Sequence, residues 1–217
     1  MLLKALIGLC VLGTLVVAVS YGMALRNEAR GLRAFPPEGR MVQVDGHPVH
    51  VVQMGQGPDL VLLHGAGGNT RDMGFGLAPA LASEFRVTLM DRPGLGHTPA
   101  LSPDGDTIAD QARLLANAAR AVGVSSPIVL GHSYGGAVAL AWALDDALPP
   151  AGLVIVAGAT HPWDSPVPAL YRATTHPWFG GLVRMMLSAW VSTSYVEQSI
   201  DAIFSPQAAP SGYGDQI

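Results

Sequence analysis

The residues with the clearest chemical potential are Gly131-His132-Ser133-Tyr134-Gly135, which lie between a short apolar run and a helix-like segment. A serine hydroxyl is a weak nucleophile at neutral pH, so it needs a nearby base and backbone N–H donors that stabilise an oxyanion. A sharp turn from a strand into a helix provides both, because it exposes the serine and places the next N–H at a helix N-terminus. The pattern therefore predicts Ser133 as a nucleophile and the Tyr134 amide as an oxyanion donor.

A second glycine-rich segment, His64-Gly65-Ala66-Gly67-Gly68, follows another short apolar run. A loop that leaves a buried strand at this position can supply the other oxyanion donor, and the Ala66 N–H is the one we expect. We expect His64 to brace the loop rather than to act on substrate.

Strand-like and helix-like segments alternate around these two motifs. Short, continuously apolar runs are typical of strands buried on both faces, and Asp45-Gly46 is a strong hairpin signal. The predicted strands are 41–44, 49–54, 60–63, 86–90, 128–130 and 153–156. The predicted helices are a stretch around 77–83, a helix capped by Thr107 that Gly123 ends, and 134–148. The alternation predicts an α/β fold with a mostly parallel, doubly wound sheet that two antiparallel strands open.

The N-terminal segment has the length and composition of a membrane-spanning helix. Ala5 to Leu25 contains no charged residue, and these 21 positions at about 1.5 Å each approach the thickness of the hydrocarbon core. We expect a transmembrane anchor over 1–25 and a charged, proline-broken linker over 26–40. The alternative is a cleaved signal peptide with Ala18-Val19-Ser20 at the cleavage site, which would make the protein secreted or periplasmic.

Three basic residues, Arg26, Arg30 and Arg33, follow the apolar segment, and only Lys4 precedes it. For a single-pass anchor, the positive-inside rule therefore favours a cytoplasmic location for the rest of the chain.

Composition excludes several classes of function. The chain has 217 residues, with 12 Lys+Arg, 16 Asp+Glu and a net charge of -4, so it lacks the basic composition of nucleic-acid-binding proteins. Cys10 is the only cysteine, which excludes an intrachain disulfide and a cysteine-type zinc site. We expect neither a metal nor an organic cofactor.

From about 41 to 160 the chain resembles the α/β-hydrolases, in particular the lid-bearing, lipase/esterase-like group. The resemblance rests on the His64-Gly65 loop, on Asp91-Arg92-Pro93-Gly94-Leu95-Gly96 and on the Ser133 motif. It implies a hydrolase core over 41–160 with strands one to six, followed by the beginning of a helical lid over 161–217. Related dehalogenases and epoxide hydrolases carry aspartate at the position of Ser133, so the serine disfavours those branches.

The resemblance also implies a triad acid and a histidine base that follow Ser133 in the chain. Only His161 and His176 follow it, and neither comes after a credible final strand. Asp164, just after the sixth predicted strand, is a possible alternative acid. We therefore expect that the sequence is a fragment, a poor catalyst as given, in which 153–156 forms an exposed apolar edge.

The sequence favours a membrane-anchored serine hydrolase that cleaves small-molecule carboxylic esters or related acyl substrates through an acyl-enzyme on Ser133. Two alternatives stay open. One is a cofactor-free haloperoxidase-like or carbon–carbon bond hydrolase on the same fold. The other is a non-catalytic binding protein that keeps the fold without a working triad. The oligomeric state does not follow from these patterns.

Overall fold

The computed structural model describes residues 2–102, 106–145, 148–161 and 169–215. The chain forms two compact units. One unit comprises Met1–Pro36 and Ser165–Gly214, and the other comprises Pro37–Asp164 and Asp215–Ile217. We call the first the helical unit and the second the sheet unit.

The sheet unit contains six strands in the order β1-β2-β4-β3-β5-β6. Their bounds are Arg40–Val44, His47–Met54, Asp59–Leu63, Arg86–Met90, Ile128–His132 and Gly152–Val156, numbered β1 to β6 along the chain. Strands β3 to β6 pair in parallel, whereas β1 with β2 and β2 with β4 are antiparallel. The predicted α/β fold with a mostly parallel sheet is therefore confirmed.

The core lies on both faces of this sheet because successive side chains of a strand point to opposite faces. On β3, Val61 and Leu63 pack into one cluster, and Leu60 and Leu62 pack into the other. All five side chains of β3 are buried. This explains why the strand is a continuous apolar run rather than an alternating one.

Four helices of the sheet unit connect these strands: α2 (Thr70–Gly74), α3 (Leu77–Leu81), α4 (Ile108–Ala121) and α5 (Tyr134–Ala143). Thr107 caps α4 as predicted, because its side chain accepts a hydrogen bond from the Asp110 N–H. Helix α5 ends at Ala143, five residues before the predicted end. The chain turns there, and the carbonyl of Leu148 accepts a hydrogen bond of 2.7 Å from Trp142 Nε1.

Strand β6 forms one edge of the sheet, as the sequence predicted. Three of its apolar side chains are exposed, Leu153 by 36%, Val154 by 42% and Val156 by 44%. A row of unpaired backbone groups with apolar side chains is a surface on which another strand can pair.

The helical unit contains α1 (Leu2–Ala34), α6 (Ala169–Thr174), α7 (Gly180–Trp190) and α8 (Thr193–Phe204). A short 3₁₀ turn at Tyr213–Asp215 follows α8 in the chain. By length and composition, α1 is apolar enough to cross a membrane, a criterion that signal sequences near an N-terminus also meet. The helix continues nine residues past Leu25, so residues 26–34 of the expected linker are helical.

Candidate active site

Ser133 lies in the turn between β5 and α5 and has an unusual backbone conformation. Its φ is 52° and its ψ is -118°, a region that non-glycine residues rarely occupy. Three backbone hydrogen bonds hold it there. The Ser133 N–H donates to Val156 O at 2.9 Å, and its carbonyl accepts from Gly136 N at 2.9 Å and Ala159 N at 3.0 Å. The end of β6 and the first turn of α5 thus maintain a strained conformation.

Glycines on either side of Ser133 allow the backbone segments to approach closely. A Cβ on Gly135 would collide with the carbonyl oxygen of Leu63 and would lie 2.6 Å from that of His64. A Cβ on Gly131 would collide with the backbone of Gly135. The start of α5 therefore rests directly on the end of β3 and on β5, which requires glycine at both positions.

The loop after β3 is adjacent to the Ser133 turn. A Cβ on Gly65 would lie 3.2 Å from Ser133 Cβ and 3.1 Å from His132 Nδ1. The Ser133 side chain is half-buried and does not cap α5, although Ser133 is the N-cap residue. The structure thus brings together the two motifs that the sequence singled out. The serine side chain makes no capping hydrogen bond to α5.

The peptide between Gly65 and Ala66 has a fixed orientation. Its carbonyl oxygen accepts hydrogen bonds from Arg92 Nη2 at 2.8 Å, from His64 Nδ1 at 3.0 Å and from the Gly68 N–H at 3.3 Å. In a trans peptide the N–H points opposite to the C=O, so these donors direct the Ala66 N–H away from the protein interior. Within the described residues, neither the Ala66 N–H nor the Tyr134 N–H has an acceptor.

His64 is a neutral, buried side chain that supports this loop. Burial, followed by the positive charge of Arg92, lowers the pKa of His64 to about 4. Its Nε2 accepts a hydrogen bond of 2.9 Å from the Arg92 N–H, so the ring proton is on Nδ1, facing the Gly65 carbonyl. These contacts support the bracing role expected for His64.

Arg92 connects the loop to two helices. Its Nε donates to His64 O at 3.0 Å, and its Nη1 donates to Gln111 Oε1 of α4 at 2.9 Å. The guanidinium also lies 4.7 Å from the ring centroid of Tyr134, at the start of α5. Arg92 is buried, which lowers its pKa. With three carbonyl or amide acceptors and an aromatic face, its charge is well compensated.

Asp91 forms a second buried network beside Arg92. Its carboxylate accepts hydrogen bonds from the Thr70 N–H at 2.7 Å, the His97 N–H at 2.9 Å and His50 Nδ1 at 2.7 Å. Burial opposes ionisation of Asp91, but these hydrogen bonds lower its pKa. Burial likewise favours neutral His50, yet the bonds to Asp91 and to the Glu38 carbonyl raise the pKa of His50. The hydrogen bonds of Asp91 and His50 thus connect β2, α2 and the turn after β4.

Sequence reasoning missed His50 and Gln111. Each is one polar residue in an otherwise ordinary strand or helix, and its partner is distant in the chain. The nearest sequence signal was Asp91-Arg92 itself, a charged pair directly after a buried strand.

The remaining candidates lie apart from Ser133 or outside the described residues. His161 is exposed, and its Nδ1 is 2.9 Å from Thr160 Oγ1. His176 stacks on Phe179 with a centroid distance of 3.7 Å. Among the described residues, no histidine is hydrogen-bonded to Ser133, and no group of three His, Cys, Asp or Glu side chains could hold a metal ion. Asp164, the possible alternative acid, lies outside the described residues.

A serine in a strained strand-to-helix turn, next to a glycine-rich loop on a mostly parallel sheet, is the arrangement of the α/β hydrolases. The sequence profile of the alpha/beta hydrolase fold matches residues 58–209, and the chain belongs to this family.

Several of the named relatives of the chain are hydrolases. A pimeloyl-[acyl-carrier protein] methyl ester esterase of Aeromonas hydrophila subsp. hydrophila is 44% identical over 96 residues, which are 44% of this chain and 36% of that protein. A 2-hydroxy-6-oxo-6-phenylhexa-2,4-dienoate hydrolase of Burkholderia cepacia is 32% identical over 100 residues, which are 45% of this chain and 35% of that protein. The matched regions thus span about a third of the length of these relatives.

A solved structure of a membrane phospholipase A, described as a bacterial virulence factor, shares the fold. The TM-score is 0.60 at 20% sequence identity, and the match covers 99% of this chain and 67% of that chain.

Proposed function

We propose that this protein is a membrane-anchored serine hydrolase that cleaves carboxylic esters or related acyl substrates through an acyl-enzyme on Ser133. The observation that carries the proposal is the backbone of Ser133. Neighbouring backbone groups hold Ser133 at a φ of 52°, next to Gly65, and its side chain makes no capping hydrogen bond to α5. Strain of this kind concentrates at functional sites.

The chemistry follows from the groups around this serine. Ser133 Oγ attacks the substrate carbonyl carbon, and its proton passes to a base. The carbonyl oxygen becomes negative, and the Ala66 and Tyr134 N–H groups stabilise it, helped by the positive end of the α5 dipole. As the bond to the leaving oxygen breaks, that oxygen takes the proton from the base and departs as an alcohol. The base then deprotonates water, which attacks the acyl-enzyme, releases the carboxylic acid and restores the Ser133 hydroxyl. The base would be a histidine, and no described histidine lies in the position of that base.

Membrane attachment is the second part of the proposal. Helix α1 supplies a span of sufficient length, and the fold similarity to a membrane phospholipase A extends over 99% of the chain. An anchored hydrolase works at a surface where ester-containing lipids are concentrated. The B. cepacia relative, by its name, favours carbon–carbon bond hydrolysis as a second candidate. A substrate panel of acyl esters and vinylogous diketones separates the two activities.

The decisive experiment is labelling with a fluorophosphonate probe, which reacts with activated serines. We expect the membrane-inserted, full-length protein to be labelled at Ser133, and the Ser133→Ala variant to be unlabelled. Ser126→Ala is the matched control, because Ser126 is an exposed serine that also has a φ of 52°. Absence of label on Ser133 in the wild type would remove the enzyme proposal and leave a non-catalytic binding protein.

A further inference from the structure

Helix α7 packs along one face of α1. On α1 the packed positions include Ser20, Ala24 and Asn27, which recur at helical spacing. Trp190 Nε1 donates to Ser20 Oγ at 2.9 Å. Asn27 Nδ2 donates to Ser188 O at 2.9 Å and also contacts Ala189 O, so it satisfies carbonyls at the end of α7. The end of α7 is therefore fixed to one level of α1.

This level is close to the end of the apolar part of α1. The first charge after that part is Arg26, and Ser20 precedes it by six residues, or about 9 Å along the helix axis. In a bilayer-spanning α1, the indole of Trp190 thus lies at the depth of about 5–10 Å that interfacial helices reach. Tryptophan and tyrosine are enriched at this level of membranes.

An apolar groove opens at the same end of the helical unit. It has a volume of about 580 Å³, within the range of roughly 300–1,000 Å³ that small-molecule sites occupy. Its lining includes Leu182, Met186, Leu187, Trp190, Val191 and Tyr195, from α7, α8 and the link between them. Leu187 is 38% exposed and Trp190 is 59% exposed, so neither is covered within the described chain.

The net charge of the helical unit favours a location of this groove at a membrane surface rather than in bulk water. After the apolar part of α1, the helical unit carries five basic and three acidic residues, a net charge of +2, whereas the sheet unit carries six basic and thirteen acidic residues. Anionic lipids attract basic segments near the bilayer. A net positive charge beside an exposed apolar groove fits an anionic, lipid-rich surface.

We propose that the groove between α7 and α8 binds an acyl chain of a bilayer lipid, and that the Trp190–Ser20 and Asn27 contacts hold the groove at the membrane interface. This inference rests on the membrane-anchor part of the proposed function and is independent of chemistry at Ser133. It assigns the exposed apolar face of α7 and α8 to lipid rather than to a second copy of the chain.

The test uses the full chain with Ser133→Ala, which prevents hydrolysis of the probe, in nanodiscs that hold one chain each. The bilayer contains phosphatidylcholine and phosphatidylglycerol, with a fraction of phosphatidylcholine that carries a photoreactive diazirine in its acyl chain. After illumination, adducts are mapped by mass spectrometry. We expect adducts on α1 and on residues 182–195, and none around Leu77, an apolar residue of α3 that is 42% exposed.

A second variant tests whether the groove itself binds the chain. Leu187→Glu places a charge against acyl chains, so groove adducts should fall about tenfold or more while adducts on α1 are unchanged. Gln198→Glu adds the same charge at an exposed position of α8 outside the groove lining, so it should leave groove adducts within about twofold.

The outcomes that would contradict the inference can be distinguished from one another. Adducts on α1 without adducts in the groove would overturn the inference while the anchor stands. Groove adducts that persist in Leu187→Glu would also overturn it, because they would reflect contact without a site. A chain that does not enter the nanodisc would refute the anchor itself, while fluorophosphonate labelling would still report on Ser133 separately.

Discussion

Arg92 Nη2 donates to the carbonyl oxygen of Gly65 at 2.8 Å, and this bond orients the peptide whose N–H belongs to Ala66. A charged, buried side chain thus orients the peptide that carries the proposed oxyanion donor. The same guanidinium also contacts Gln111 of α4 and the ring of Tyr134, whose N–H is the other proposed oxyanion donor.

Replacing Arg92 with lysine should lower kcat for ester hydrolysis with little change in KM. Lysine keeps the positive charge but loses the planar fork that contacts the His64 and Gly65 carbonyls. Loss of one oxyanion donor costs about 10²–10³ in kcat, so a misdirected donor should cost roughly 10- to 100-fold. Steady-state kinetics of the full-length protein with a p-nitrophenyl ester measure the effect. Arg120→Lys, on the exposed face of α4, is the control, and an equal loss in both variants would contradict the positioning role.

Acid should destabilise the protein partly through His64. The pKa of His64 is about 4 when folded and 6.5 when unfolded, so between these values only the unfolded chain binds the proton. The contribution of His64 to the free energy of unfolding is therefore complete above pH 6.5. It decreases by about 3 kcal/mol as the pH falls toward 4.

His64→Gln should therefore flatten the dependence of unfolding free energy on pH between 4.5 and 6.5, measured by urea titration. His161→Gln, at an exposed site, should keep the slope. His50 acts in the opposite direction, because its raised pKa stabilises the fold below pH 6.5 and this contribution disappears as the pH rises. An unchanged slope in His64→Gln would show that His64 is protonated in the folded state.

Relief of strain at Ser133 should stabilise the fold. Glycine occupies a φ of 52° without the penalty that a Cβ imposes, and such strain costs on the order of 1–3 kcal/mol. Ser133→Gly should therefore be more stable than Ser133→Ala by about 1 kcal/mol, although both should be inactive. Urea unfolding of the two variants gives the comparison, and equal midpoints would mean that the turn carries no strain.

A side chain at position 135 should separate α5 from β3. Gly135→Ala places a Cβ against the carbonyl oxygens of Leu63 and His64, so we expect a loss of about 1–3 kcal/mol or failure to fold. Gly152→Ala is the matched control, because the nearest atom to its Cβ is Ile128 Cγ1 at 4.0 Å. Comparable melting temperatures for the two variants would contradict the close packing inferred at Gly135.

The strands and the adjacency of the two glycine-rich motifs could be predicted because local patterns encode them. Parallel strands end at the same edge of a sheet, so the loops after β3 and β5 must be neighbours. Short helix α2 was missed because five residues carry no periodicity. Its signal was Asn69 with Asp72, which form a capping box. The charged segment after Leu25 was interpreted as a linker, although it contains good helix formers up to Ala34.

The polar networks around the site depend on strand register, which local patterns do not specify. Val51 pairs with Met90, and this register brings His50 beside Asp91, 41 residues away in the chain. A shift by one residue would place His50 on the opposite face of the sheet. Similarly, the Arg92–Gln111 bond requires α4 to cover that face of the sheet, which only the assembled fold determines.

Ser20 and Asn27 are seven residues apart on α1, which is close to two full turns, so both side chains point toward α7. One residue inserted between them would rotate one contact by about 100° relative to the other, and both could no longer form together. The spacing therefore fixes the rotation of α7 about the long axis of α1 as well as its depth. Because α7 contacts α1 at these two positions, the side of α1 that the groove faces is determined as well.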